Sequence, residues 1–259
     1  MTRKPTRTSA APRATTSNNR RRKPAVKPTV KPTKSFKSSR DKAAAFGPTL
    51  KAQAAKVVRS LEEHYYGATC ALEHKSAFQL LVATILSAQC TDQRVNIVTK
   101  DLFKRWPTPA DLAAVPIPVL EKAIQSTGFF RNKAKNIKAA SQDLVDKYDG
   151  QVPRDMDQMV ALAGVGRKTA NVVLGTAYGL PTGVVVDTHV TRVSRRLGLT
   201  ENTDPVRIEQ DLMQLLPKNE WIDFSHRMIH HGRQICVARK PKCDICPMNK
   251  FCPKIGVDT

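Results

Sequence analysis

The sequence predicts an all-α chain, and three observations carry that prediction. From Thr49 onward, apolar residues fall at helical spacing in one segment after another. Prolines, glycines and short polar residues stand where such helices would start and stop. The stretch Leu162-Ala163-Gly164-Val165-Gly166-Arg167-Lys168 joins two of them as a helix-hairpin-helix.

Taken in order, the first helix puts Leu50, Ala54, Val57, Val58, Leu61 and Tyr65 on one face and stops at Gly67. Ser76-Ala77-Phe78-Gln79 reads as a capping box. The helix it opens is apolar almost all round, through Leu80, Leu81, Val82, Ile85 and Leu86, and belongs in a core. After Ser87-Ala88-Gln89-Cys90, Thr91 or Asp92 caps a helix carrying Val95, Val98, Leu102 and Phe103. Thr108-Pro109 and Pro116-Ile117-Pro118 place proline in first helical turns, and Gly128 closes that set. Asn132 to Tyr148 forms the next helix, with Ala134, Ile137, Ala140, Leu144 and Val145 inward. Asp155 caps a short helix through Met156, Met159, Val160 and Leu162. Gly164 and Gly166 are expected to supply positive-φ geometry before a helix that begins at Arg167. Asp187 follows the apolar run Val184-Val185-Val186 and caps a helix through Val193; Thr203-Asp204-Pro205 starts another, which Pro217 stops.

A formal charge of +21 over 259 residues points to a polyanionic partner. Residues 1–47 hold fourteen Lys and Arg against one acid, Asp41, and so account for about thirteen of those charges. This tail repeats Lys-Pro, is rich in Thr, Ser and Ala, and reads as disordered. Non-specific attraction to phosphates is its expected use. A transit peptide or, through Arg20-Arg21-Arg22-Lys23, a nuclear signal are the alternatives. No apolar run approaches the ~18 residues that span a bilayer, and no secretory segment is present, so an intracellular protein with no membrane partner is expected.

The hairpin amides lie at a helix N-terminus, where unsatisfied N–H groups and the positive end of the macrodipole favour an anion such as a nucleic-acid phosphate. Gly164, Gly166 and Arg167 are the candidate phosphate contacts. Two cations in a first turn oppose the helix dipole, which suggests a use for them. Positive surroundings favour the uncharged amine that attacks carbon, and Lys168 is the candidate nucleophile; the bland reading is a lysine on phosphate or solvent. Asp187 is an N-cap that can also act as a rigidly held carboxylate, while His189 reads as structural.

Cys236, Cys243, Cys246 and Cys252 lie as C-x6-C-x2-C-x5-C, whereas Cys70 and Cys90 stand apart as ordinary thiols. In an intracellular chain such a cluster is a metal site rather than a disulfide framework, and its spacing leaves Zn²⁺ and an iron–sulfur cluster both open. Arg239-Lys240-Pro241-Lys242, between the first two cysteines, forms a basic loop suited to a DNA backbone.

Leu162 to Asp187 resembles the helix-hairpin-helix, Gly-Pro-Asp motif of base-excision DNA glycosylases, and specifically the endonuclease III family, over nearly all of residues 50 to 253. Ala163 stands where proline is common in the family, and Thr182-Gly183-Val184-Val185-Val186 carries an apparent extra residue. The resemblance implies two lobes: six helices over 70–181, and a cluster lobe built from 48–69 and 182–259. It implies that Lys168 is a Schiff-base lysine, that Asp187 is the motif aspartate, and that the four cysteines hold a structural [4Fe–4S] cluster. It places Gln89 in the gap left by an extruded nucleotide, against the alternative of a side chain bonding its own loop. Phe129 falls where the family usually has a leucine wedge, against the alternative of a core aromatic. The implied activity is a bifunctional glycosylase and abasic-site lyase on damaged double-stranded DNA, acting on oxidised pyrimidines as a monomer in the cytoplasm or nucleoid, with nucleus or mitochondrion as alternatives. A mismatch adenine-type glycosylase, which lacks the lysine and has a further domain after the cluster, and a non-catalytic DNA-binding protein are the competing readings.

Overall fold

The computed structural model describes residues 48–257; the basic tail read over residues 1–47 lies outside them. Among the described residues every regular element is helical, and no helix is long and apolar enough to cross a membrane.

Helix α1 (Pro48–His64) buries Ala54, Val57 and Leu61, the face its spacing implied. After Gly67 the chain enters α2 (Ala77–Leu86), whose residues are nearly all buried. Ser76 Oγ accepts the amide of Gln79 at 3.2 Å, yet Gln79 Oε1 takes the amide of Lys75 rather than that of Ser76. The cap is therefore one-sided, and the reciprocal box forms instead in α4 (Pro109–Ala114), between Thr108 and Asp111. Thr91, not Asp92, caps α3 (Asp92–Arg105). Helix α5 (Ile117–Ile124) runs into a 3₁₀ turn (Gln125–Thr127), and α6 (Phe130–Tyr148) follows. Helices α7 (Met156–Ala161) and α8 (Arg167–Tyr178) form the hairpin.

Between residues 70 and 181 there are thus seven α-helices, not six, because the six-residue α4 and α7 are each closed off by their own caps. Val145 and Val160 are exposed rather than inward, at 37% and 41%. Each lies at the edge of its stripe, beside a buried Leu144 or Met159. These helices share one hydrophobic core, from Leu72 through Leu80, Leu81, Leu120, Ile137 and Leu144 to Leu174. Each fully buried leucine there contributes at most about 1.5–3 kcal/mol.

A second core joins α1 to α9 (Thr188–Arg196), α10 (Pro205–Leu215) and α11 (Trp221–Gln234), with Phe224, Met228 and Met248 at its centre. Asp187 caps α9 as its position implied, and within the expected start Thr203-Asp204-Pro205 it is Asp204 that caps α10.

Candidate active-site cleft and cysteine-lined cavity

Lys168 stands exposed in the first turn of α8, and Asp187 precedes α9. Both line one cavity of about 120 Å³, together with Thr69, Cys70 and Leu72, Asp92 of α3, and His226, His230 and Arg233 of α11. Asp187 Oδ1 accepts the amides of His189 and Val190, both at 2.8 Å, so the carboxylate is fixed at the positive end of α9. Among the described residues its other oxygen takes no hydrogen bond, which leaves it available to the cleft.

The walls are tied to each other by polar bonds. Arg167, read as a phosphate contact, aims Nε at both oxygens of Glu209, at 3.1 Å each. Glu209 is 6% exposed, and a buried carboxylate needs such a counter-charge. Asn171 Nδ2 donates to Glu209 Oε1 at 2.8 Å, and Thr182 Oγ1 donates to Asn171 Oδ1 at 2.9 Å. The lysine's helix is thereby pinned to α10 and to the segment that leads to Asp187. Gly183 lies so close to the Glu209 and Asn171 side chains that a Cβ there would push their hydrogen-bonded ends aside, which accounts for glycine at this position. Further along, Val185 N donates to Ser225 Oγ at 3.0 Å, holding the apolar run on α11.

Only one hairpin glycine has the expected backbone. Gly164 has φ 75°, and a Cβ there would meet Asn136 at 2.7 Å. Gly166 is extended at φ −89°, because it serves as the N-cap of α8, where β-region backbone is required.

Gln89 and Phe129 share an unusual geometry. Both have left-handed backbone, at φ 53° and 48°, and both are exposed, Phe129 by 63%. Phe129 is therefore not a core aromatic. Among the described residues the Gln89 side chain bonds nothing in its own loop. Such conformations are uncommon for bulky residues and cluster at functional sites.

Sequence reading passed over Lys133, which is buried beneath these two loops, and His226, His230 and Arg233 in the cleft. The signal was periodicity. Lys133 precedes the inward Ile137 by one helical turn, and positions 226, 230 and 233 recur on one face of α11. His226, half-buried with Nε2 3.4 Å from Thr176 Oγ1, is pushed toward its neutral form by desolvation.

The four cysteines line a second cavity with Val193, Leu197, Ile235 and Val257. An all-thiol donor set suits either an iron–sulfur cluster or Zn²⁺. Burial pushes the thiols of Cys246 and Cys252 up, and the neighbouring cysteines add to it. The thiolates of Cys246 and Cys252 are thus disfavoured without a cation's positive charge beside them. Arg196 closes the site, donating to Val237 O at 2.8 Å, to Ala238 O at 2.9 Å and to Cys236 Sγ at 3.4 Å. On the other side, Tyr65 Oη lies 2.9 Å from His231 Nδ1, and His231 Nε2 lies 3.9 Å from Cys246 Sγ. Burial pushes Tyr65 up to about 12 and His231 down to about 4, so both are neutral at neutral pH. Arg239, Lys240 and Lys242 are exposed on the loop between the first two cysteines.

Residues 82–218 match the HhH-GPD superfamily of base excision DNA repair proteins, and residues 236–252 match the iron–sulfur binding domain of endonuclease III. The cofactor is accordingly a [4Fe–4S] cluster. The chain is 54% identical to the endonuclease III of Synechocystis sp. over 203 residues, covering 78% of this chain and 93% of that one. A solved non-covalent endonuclease III–DNA complex superposes with a TM-score of 0.76 at 47% identity, over 79% of this chain and 95% of that one. A trapped endonuclease III–DNA covalent intermediate matches with the same TM-score and identity, over 79% and 96%. By these matches, and by the hairpin, cleft and cysteine cavity that they span, the chain belongs to the endonuclease III family of base-excision repair proteins.

Proposed function

We propose that the chain is a DNA glycosylase and abasic-site lyase that removes oxidised pyrimidines such as thymine glycol from duplex DNA, with Lys168 as nucleophile and Asp187 as its carboxylate partner. The observation that carries the reading is the shared cavity of Lys168 and Asp187, in a chain 47% identical to an endonuclease III captured covalently on DNA.

A sugar carbon inside an intact duplex is out of reach, so the damaged nucleotide must leave the stack. Lys168 Nζ attacks C1′ of that nucleotide, and the bond from C1′ to the base breaks with its electron pair going to the base. Asp187 stabilises the positive charge that develops on the sugar. Opening of the sugar gives an imine between Nζ and C1′. Loss of a C2′ proton then expels the 3′ phosphate by β-elimination, and water releases the lysine. His226, pushed toward its neutral form, lines the same cavity.

The cluster's part is structural: it crosslinks the C-terminal segment and fixes the basic loop. Cys236, Cys243, Cys246 and Cys252 hold it, and Arg239, Lys240 and Lys242 meet the DNA backbone. Gly164 and Gly166 present the hairpin to phosphate, with Arg167 contributing through the part of its guanidinium that Glu209 leaves exposed. Gln89 and Phe129 enter the duplex where the nucleotide departs. The two hydrophobic cores correspond to two lobes, 70–181 and 48–69 with 182–259, and the cleft lies between them. The protein acts as a monomer in the cytoplasm or nucleoid, and the charge of residues 1–47 adds salt-sensitive affinity for DNA.

The test is a duplex with one thymine glycol. Free base together with a strand broken on the 3′ side of the lesion is expected. Base release from an intact strand would replace this reading with a monofunctional glycosylase.

A further inference from the structure

Lys133 is 4% exposed, and a buried ammonium persists only where its N–H groups find acceptors. Its Nζ donates to Leu86 O at 2.8 Å and to Thr127 O at 2.7 Å. Leu86 is the last residue of α2, and Thr127 is the last of the 3₁₀ turn before α6. Final carbonyls of a helical segment have no partner within it and carry partial negative charge. One ammonium thus satisfies two helical C-termini that lie 41 positions apart.

Each terminus leads directly into one of the left-handed loops. Gln89 stands three residues beyond Leu86, and Phe129 two beyond Thr127. The same residue also closes the second loop through its backbone, since Lys133 N donates to Phe129 O at 3.2 Å. Thr127, fully buried, fastens the turn below by donating to Ile124 O at 2.8 Å. Left-handed backbone at a glutamine and a phenylalanine is strained, and it persists where the surroundings over-determine it.

We propose that Lys133 is a positioning residue that locks the Gln89 and Phe129 loops into one rigid unit, so that the two side chains enter the duplex together rather than singly. This rests on the reading of Gln89 and Phe129 as the residues that intrude into DNA. Lys133 itself touches no substrate.

The test compares full-length, iron-loaded protein with Lys133→Met, Lys133→Gln, Gln89→Ala and Phe129→Ala. Single-turnover strand cleavage is measured on an abasic site in a duplex and on the same site in single-stranded DNA, where nothing has to be displaced. A 2-aminopurine opposite the duplex site reports intrusion by its fluorescence. Lys133→Met is expected to keep its single-strand rate, to lose about tenfold or more on the duplex as the loss of an intruding, stacking side chain implies, and to lose the fluorescence rise. Combined with Phe129→Ala it should add little further loss, because both remove the same coupled act. If Gln89→Ala and Phe129→Ala leave the duplex-to-single-strand ratio unchanged, the intrusion reading itself fails. If they lower it while Lys133→Met does not, or if Lys133→Met slows both substrates equally, the coupling is overturned. Should Lys133→Met not fold, Lys133→Gln, which keeps a donor for one of the two carbonyls, decides the same comparison.

Discussion

Asp187 Oδ1 sits 2.8 Å from the amide of Val190, and that bond gives one carboxylate two duties. It caps α9, and it stands in the wall of the cavity that Lys168 shares. The duties separate by substitution. Asparagine caps a helix about as well as aspartate, so Asp187→Asn should melt like wild type yet lose most of its activity. Asp187→Ala should lose the activity and also about 0.5–2 kcal/mol of stability. Thermal unfolding read beside glycosylase rate checks both. An active Asp187→Asn protein would reduce this residue to a cap.

Glu209 holds Arg167 and Asn171 together beneath the hairpin. Glu209→Ala should destabilise the fold by about 1–3 kcal/mol, less than breaking a fully buried pair costs, because Arg167 is 45% exposed and its charge remains partly solvated. The slackened link between α8 and the approach to Asp187 should also slow catalysis. An unchanged melting temperature would show that the network is incidental.

Phe129 is 63% exposed with φ 48°, so its side chain adds little to folding and its backbone opposes it. Phe129→Gly should therefore stabilise the protein, by about 1 kcal/mol, while activity on duplex DNA falls by about five- to a hundredfold. Denaturant unfolding and turnover on duplex substrate decide the matter together. A loss of stability would mean that the ring packs after all.

Arg196 meets the cluster segment through both arms of its guanidinium, on Val237 O and Ala238 O. Lysine preserves the charge but not the fork, so Arg196→Lys should release iron to a chelator faster than wild type. Cys246→Ala should fail to retain the full iron complement. Iron and sulfide analysis with visible absorbance measures both, and equal iron retention in Arg196→Lys would remove the arginine from the cluster's support.

These residues also mark what the amino-acid order makes legible. Caps at Asp155 and Asp187, and helix starts at Thr91 or Asp92, Thr108-Pro109 and Thr203-Asp204-Pro205, were readable because these signals act on amides two or three residues away. The hairpin and the four cysteines were readable for the same reason: their chemistry is local in sequence. Lys133, Glu209 and the ion pair of Asp92 with Arg233, 2.6 Å long across 141 residues, were not. Their partners lie in other helices, and a buried charge looks like a surface charge until the fold supplies its counterpart. Gly166 misled for a related reason, since a glycine in a turn can serve as an extended cap as well as a left-handed corner.

The most direct measurement is borohydride trapping on a thymine glycol duplex, with wild type compared against Lys168→Ala after equal binding has been established. Reduction of an imine joins enzyme to DNA permanently, so wild type should give a covalent adduct and Lys168→Ala none. An adduct of undiminished yield from Lys168→Ala would place the nucleophile elsewhere in the chain and contradict the account at its centre.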